Sequence, residues 1–137
     1  MTTLFINCSK DKHGLTESLV SDITTEYETV NLVDYRIYPL GQENRSDDEF
    51  HEVISKIDNA DDLIIGTPVY WSSMSAYMKI LIDRMTTFLH DGNPFVGKPL
   101  SIIIDGSMPD DAIEHITHVW NHIAKRYGMT YEKTITN

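Results

Sequence analysis

Leu63-Ile64-Ile65-Gly66-Thr67-Pro68, residues 63–68, is an unbroken apolar run closed by a proline. A strand with one face in water alternates apolar and polar residues, whereas a strand covered on both faces reads as a continuous run. Leu4-Phe5-Ile6-Asn7-Cys8 and Leu100 to Ile104 read the same way. Between these runs the apolar residues change to helical spacing. Leu15, Leu19, Val20 and Ile23 form one such face, and Phe50, Val53, Ile54 and Ile57 a second. Met74, Met78, Leu81, Ile82 and Met85 make a third, and Ile113, Ile116, Trp120, Ile123 and Tyr127 a fourth, with Gly128 where a helix C-cap belongs. Val30, Leu32 and Val33 predict a second strand, and Thr130 to Thr136 a fifth. Strands that alternate with helices form a parallel α/β sheet with helices on both faces. Five strands suit the doubly wound, flavodoxin-like order 2-1-3-4-5. The third strand is expected to stop at Pro68.

The chain has 137 residues, which predicts a single domain over 1–137 with a core large enough to need no disulfide or structural metal. Eleven Lys and Arg against 21 Asp and Glu give a net charge of −10, a sign that repels phosphate backbones and argues against nucleic acid as a partner. No apolar run approaches the roughly 18–20 residues of a membrane span. Met1 to Ile6 lack the basic start of a secretory signal, so a cytoplasmic location is expected. The single cysteine, Cys8, leaves no internal disulfide and no cysteine-built zinc site.

In a sheet of this order, ligands sit at the carboxyl ends of the strands beside the reversal in strand order. That places chemistry after Cys8, after Thr67 and after Gly106. The first loop, Cys8-Ser9-Lys10-Asp11-Lys12-His13-Gly14-Leu15-Thr16, offers hydroxyls at both ends and a glycine before the helix. Such a loop suits a phosphate, and it equally suits a plain polar turn with a capped helix. The second, Thr67-Pro68-Val69-Tyr70-Trp71-Ser72-Ser73-Met74, carries two large aromatics. They read either as a lid on the sheet end or as a rigid platform for a flat ligand.

Gly66 to Arg84 resembles the flavin segment of the NAD(P)H-dependent FMN reductase family, which has a flavodoxin-like fold. That family reads P-x-Y-x-x-x-x-S, then a lysine, then an Asp-Arg pair. Pro68, Tyr70, Ser75, Lys79, Asp83 and Arg84 occupy those places. The first loop is similar to the family's serine-led phosphate loop, with Ser9, Gly14 and Thr16 in register, and Gly97-Lys98-Pro99 resembles the family's lead into the fourth strand. The resemblance implies FMN as cofactor and NADH or NADPH as co-substrate. It implies Ser9, Lys10, Gly14, Leu15 and Thr16 around the phosphate. Pro68, Val69, Tyr70, Trp71, Ser72, Gly106 and Ser107 would then border the isoalloxazine. Two departures stand out: Asp34 to Leu40 has no cysteine where iron–sulfur relatives carry them, and Ser107 replaces a glycine.

The implied activity passes electrons from NAD(P)H to a small acceptor such as a quinone, a flavin or a nitro or azo aromatic. No side chain need be a catalytic acid or base, because the flavin carries the chemistry. The alternative is a flavodoxin-type electron carrier without a nicotinamide site. Seven acids against Lys56 alone between Asp47 and Asp62 read as a solvated helix face, or as a dock for a basic redox partner in that alternative. Cys8 is not a phosphatase nucleophile, since Gly14 stands where the phosphoryl-holding arginine would be. His115, His118 and His122 read as a polar helix face rather than metal ligands. Lys79 and Asp83 read as a surface ion pair.

Only nine residues follow Gly128, enough for the fifth strand alone. One sheet face would then be covered only by the Leu15–Ile23 helix, leaving several hundred Å2 of apolar surface, as an order of magnitude. That reasoning, together with the resemblance, predicts a homodimer.

Overall fold

A computed structural model describes residues 1–137. In chain order its elements are β1 (Thr3–Asn7), α1 (Leu15–Ser18), β2 (Glu28–Asn31), α2 (Phe50–Asp58), β3 (Asp62–Tyr70), β4 (Ser73–Met74), α3 (Ala76–Met85), β5 (Pro99–Asp105), α4 (Asp110–Tyr127) and β6 (Thr130–Thr136). The main strands lie side by side as β2-β1-β3-β5-β6, all parallel. This is the predicted flavodoxin-like order, with β5 and β6 as the predicted fourth and fifth strands. The two-residue β4 is an addition, paired antiparallel with the end of β3.

The unbroken runs are the central strands. Leu4, Ile6, Leu63, Ile65, Leu100, Ile102 and Ile104 point to one face and join Met78, Leu81, Ile116 and Trp120 in a single buried cluster. Phe5, Ile64 and Ile103 point to the other face and pack with Val20. Sequence alternation within a strand thus becomes assignment to one of two cores. Gly128 closes α4 in the left-handed conformation, as predicted. Lys98, from the Gly97-Lys98-Pro99 stretch, caps the other end of α2 by donating to the carbonyls of Ile57 and Asp58.

Four expectations need correction. β3 does not stop at Pro68 but runs on to Tyr70. β1 ends at Asn7 opposite Gly66, so the N–H that proline lacks would face a side of β3 where no strand remains. The second strand ends at Asn31, and Leu32–Asp34 turns into a 3-10 segment because β1 offers no partner beyond Asn7. The first helix is α-helical only to Ser18 and tightens to a 3-10 turn over Leu19–Asp22. There the hydroxyls of Ser18 and Ser21 bond back to the carbonyls of Leu15 and Ser18.

The fourth correction concerns the sheet face behind α1, which is not bare. Phe5, Ile64 and Ile103 are buried, with Tyr27 edge-on to Phe5 at 6.0 Å between centroids. Ile135 of β6 is partly buried beside Ile103, whereas Thr3, which donates to Asp62, and Lys133 are polar. The apolar residues of that face are thus packed together within the chain, which leaves less bare surface than a single covering helix implies.

The acidic run is also more than a solvated face. Arg84 of α3 is buried and grips Asp48 through both nitrogens, at 2.7 and 2.9 Å, while also donating to the carbonyl of Tyr38. Its guanidinium lies 4.6 Å over the Phe50 ring. Arg84 of the family motif thus pins the long 35–49 excursion against the helix core, while its neighbour Asp83 pairs with Lys79 on the surface.

Candidate functional site

The carboxyl ends of β1, β3 and β5 bring the three predicted loops to one edge of the sheet. In the first, Asn7 organises the chain: its Oδ1 accepts from the N–H of Ser9, and its Nδ2 donates to the carbonyl of Asp11 and to Asn31 Oδ1. Ser9 Oγ in turn accepts from the N–H of Asp11 at 3.0 Å. The N–H groups of Lys12, His13 and Gly14 make no hydrogen bond within the protein. Those of Leu15 and Thr16 belong to the first turn of α1, where no intrahelical acceptor exists. Five consecutive free donors make a backbone cradle for an anion.

The cations of the loop are already engaged. Lys10 pairs with Asp11, Lys12 with Asp34 at 2.6 Å, and His13 with Glu17. Backbone donors, rather than uncompensated charge, are what this loop presents to an anion.

Thr16 is buried and its hydroxyl donates to Asp105 Oδ1 at 2.6 Å. A hydroxyl has one proton to give, so toward an anion Thr16 contributes its N–H. Asp105, buried at the end of β5, has its pKa raised by burial, against which the Thr16 bond pulls downward. Sequence pattern alone does not bring Asp105 to the site. Its signal was a carboxylate at the carboxyl end of a central strand in an otherwise apolar run. The methyl of Thr16 lies against Gly66, where an added Cβ would come within 2.6 Å of it.

The second loop is a tight hairpin. Val69 pairs with Met74 and Tyr70 with Ser73, leaving Trp71 and Ser72 as a two-residue turn with φ of 52° and 61°. Both residues are left-handed, as a type I′ hairpin requires, yet neither is the glycine or asparagine that adopts this cheaply. The strain is about 1 kcal/mol or more at each. It holds Trp71 fully exposed beside a half-exposed Tyr70. Thr67 and Ser75 anchor the hairpin. The N–H of Ser75 donates to Thr67 Oγ1, and Ser75 Oγ caps α3 while donating to the carbonyl of Cys8. That last bond ties the hairpin to the first loop.

The third loop begins at Gly106, whose vacant side-chain direction faces Val69. The Asn137 amide brackets Gly106, accepting from its N–H and donating to its carbonyl. Ser107 and Met108 lie in solvent. Leu15, Tyr70, Trp71 and Met108 are four of the seven exposed large apolar residues, so bare apolar surface concentrates at this edge. The edge is an open ledge rather than a closed cavity. Concavities lie elsewhere, among them one of about 280 Å3 between α3 and α4, lined by Ile82, Leu89, Ile123 and Tyr127 among others, and a shallow one of about 410 Å3 lined by Asp111, Glu114, His115 and His118. His115, His118 and His122 are exposed along α4, and no three His, Cys, Asp or Glu residues are placed to hold a metal ion. Burial pushes the Cys8 thiol far up, which makes it an inert core residue.

A sequence profile described as NADPH-dependent FMN reductase matches residues 1–134. The chain belongs to that family. Among curated proteins it is 31% identical to an iron–sulfur flavoprotein of Archaeoglobus fulgidus over 97 residues, 61% of this chain and 48% of that protein. The chain thus spans about half the length of that relative. Among solved structures it is similar to the Trp repressor binding protein of Bacillus subtilis, at TM-score 0.77 and 24% identity, covering 98% of this chain and 85% of that one. It also resembles FerB of Paracoccus denitrificans, an NAD(P)H:(acceptor) oxidoreductase, at TM-score 0.72 and 19% identity, covering 96% and 74%. These structural likenesses establish the fold.

The residues of this FMN reductase family member suit the group its family is named for. A run of free backbone donors fits a phosphate monoester, and the adjoining aromatic hairpin fits a flat ring system. They do not suit an iron–sulfur cluster, which takes several cysteine thiolates where this chain has only Cys8.

Proposed function

We propose that the chain is an FMN-dependent oxidoreductase that passes electrons from NADH or NADPH to a small acceptor such as a quinone, a free flavin, or a nitro or azo aromatic. The observation that carries this reading is the joining of the free Lys12–Thr16 donors to the exposed Tyr70–Trp71 hairpin through the Ser75–Cys8 bond. The hydride acceptance and electron delivery are chemistry that FMN supplies when bound. The chain's own groups bind and orient. The N–H groups from Lys12 to Thr16 receive the phosphate, Ser9 holds that loop in shape, and Lys10 stands at its mouth. Pro68, Val69, Tyr70, Trp71 and Ser72 present a stiff edge to the ring, facing Gly106 and Ser107 of the third loop. The open ledge around Trp71, Ser107 and Met108 would leave room beside a bound flavin for nicotinamide and acceptor.

We further propose that residues 1–137 act as one domain, in the cytoplasm, as a homodimer. No helix is long and apolar enough to cross a membrane. Support for the dimer is the family resemblance and the bare Trp71 and Met108 beside the site, not the sheet face behind α1. Light scattering at micromolar concentration is expected to give about twice the 15.7 kDa chain mass; the chain mass alone would overturn it.

The test of the activity is a visible spectrum of the purified chain loaded with FMN, followed by anaerobic NADH or NADPH. Rapid bleaching of the flavin band is expected. A bound flavin that neither nucleotide reduces would favour the electron-carrier reading, which the acidic run around α2 accommodates.

A further inference from the structure

We propose that Asp105 is a specificity-determining residue of the flavin site: its carboxylate, bonded to Thr16 beneath the anion cradle, disfavours the dianionic phosphate of FMN relative to the uncharged tail of riboflavin, so that FMN is taken up together with a proton from solvent. The inference rests on the placement of the FMN phosphate at residues 12–16.

An anion cradle ordinarily lies over apolar or donor groups. Here a carboxylate lies under it, 4% exposed, joined by a 2.6 Å bond to a residue whose N–H is part of the cradle. Nothing nearby compensates its charge. The first loop and α1 bring Lys10, Asp11, Lys12, His13 and Glu17, and β6 brings Lys133. Lys10, Lys12 and His13 are committed to Asp11, Asp34 and Glu17 as pairs. β3 places Pro68 opposite Asp105 in register and adds no charge. β6 pairs its Thr136 with the preceding Ile104, and Asn137 holds the Gly106 backbone. Burial raises the pKa of Asp105, and the Thr16 hydroxyl pulls it down. Counting the loop with its partners, two lysines face Asp11, Glu17, Asp34 and Asp105, so an entering dianion meets an excess of negative charge. At the low effective dielectric of a buried site, such a like charge is felt strongly. Protonation of Asp105 removes the repulsion while Thr16 keeps an acceptor.

The experiment titrates FMN and riboflavin separately into the flavin-free chain, as wild type and as Asp105→Asn, near pH 8 and near pH 6. Asn keeps an oxygen for Thr16 and removes only the charge. Near pH 8, Asp105→Asn is expected to tighten FMN about tenfold and leave riboflavin within about twofold. The gain should shrink as the pH is lowered, because burial raises the pKa of Asp105 and wild type takes up its proton sooner than an ordinary carboxylate. The second ionisation of the phosphate itself is common to both proteins and cancels in the comparison. Independently of any flavin, Asp105→Asn should raise the melting temperature near pH 8 more than near pH 5. Should that variant not fold, Thr16→Val serves: with its donor gone, Asp105 titrates at higher pH, and the fall in FMN affinity with pH begins later. Equal responses of FMN and riboflavin to Asp105→Asn, or none from either, would overturn the inference. A wild-type chain that binds riboflavin and FMN equally at both pH values would do the same. Failure of the wild type to bind either flavin would instead refute the flavin placement itself.

Discussion

Gly66→Ala tests the contact on which fold and site jointly depend. The added methyl would stand 2.6 Å from the Thr16 methyl, 3.1 Å from the Phe5 ring and 3.4 Å from Ile103 Cβ. Ordinary carbon–carbon contact is about 3.5–4.0 Å, so Thr16 must retreat by about 1 Å. It has little room, because Thr16, Phe5 and Ile103 are all buried. Overpacking of this kind costs about 1–3 kcal/mol. A 1 Å retreat away from the sheet also stretches the 2.6 Å Thr16–Asp105 bond beyond hydrogen-bond range and strands a buried carboxylate. Loss of such a charge-assisted bond adds about 1–3 kcal/mol. Urea unfolding of the flavin-free protein should therefore show a loss of roughly 2–6 kcal/mol with an unchanged m-value. FMN affinity should fall as well, because α1 carries two of the five cradle donors. A variant with wild-type stability and wild-type FMN affinity would mean that α1 does not lean on β3 as described.

Two further predictions concern other parts of the molecule. The Arg84 bond holds Asp48 at a pKa of about 2, below its ordinary 3.8. The unfolded state therefore binds the proton first: the pair's contribution, about 2 kcal/mol, is present above about pH 4 and is lost as pH falls toward 2. Asp48→Asn should flatten the acid limb of the stability curve and cost about 3 kcal/mol near neutrality by leaving Arg84 buried without its charge partner; an unchanged acid limb would refute the pairing. Trp71→Asn should relieve turn strain and stabilise the flavin-free chain by about 1 kcal/mol, while bound FMN becomes more fluorescent. If bound FMN fluoresces equally in both proteins, Trp71 does not border the ring.

Sequence alone determined the layout of this protein, because burial is written locally. The continuous runs at Leu4–Ile6, Leu63–Ile65 and Leu100–Ile104 are central strands since each must face two cores. Helical spacing between them forces a parallel sheet, and a parallel sheet of this order places three loops at one edge. The sequence motif from Pro68 to Arg84 could likewise be read as a unit, because its members lie on one hairpin and the helix after it. What tertiary structure alone decided involves partners far apart in the chain. Thr16 and Asp105 are 89 residues apart, and Arg84 and Asp48 are 36. Periodicity reports which face a residue turns to the core, not which distant side chain waits there. Pro68 misled for the same reason. Whether a missing N–H breaks a strand depends on whether a neighbour stands opposite it, and β1 had already ended. Counting helices overstated the bare area behind α1, since α1, its 3-10 turn, Tyr27 and Ile135 gather around Phe5, Ile64 and Ile103. Trp71 shows the limit from the other side. Its left-handed turn runs against local preference, and only the pairing of Val69 with Met74 and Tyr70 with Ser73, anchored by Thr67 and Ser75, holds it there.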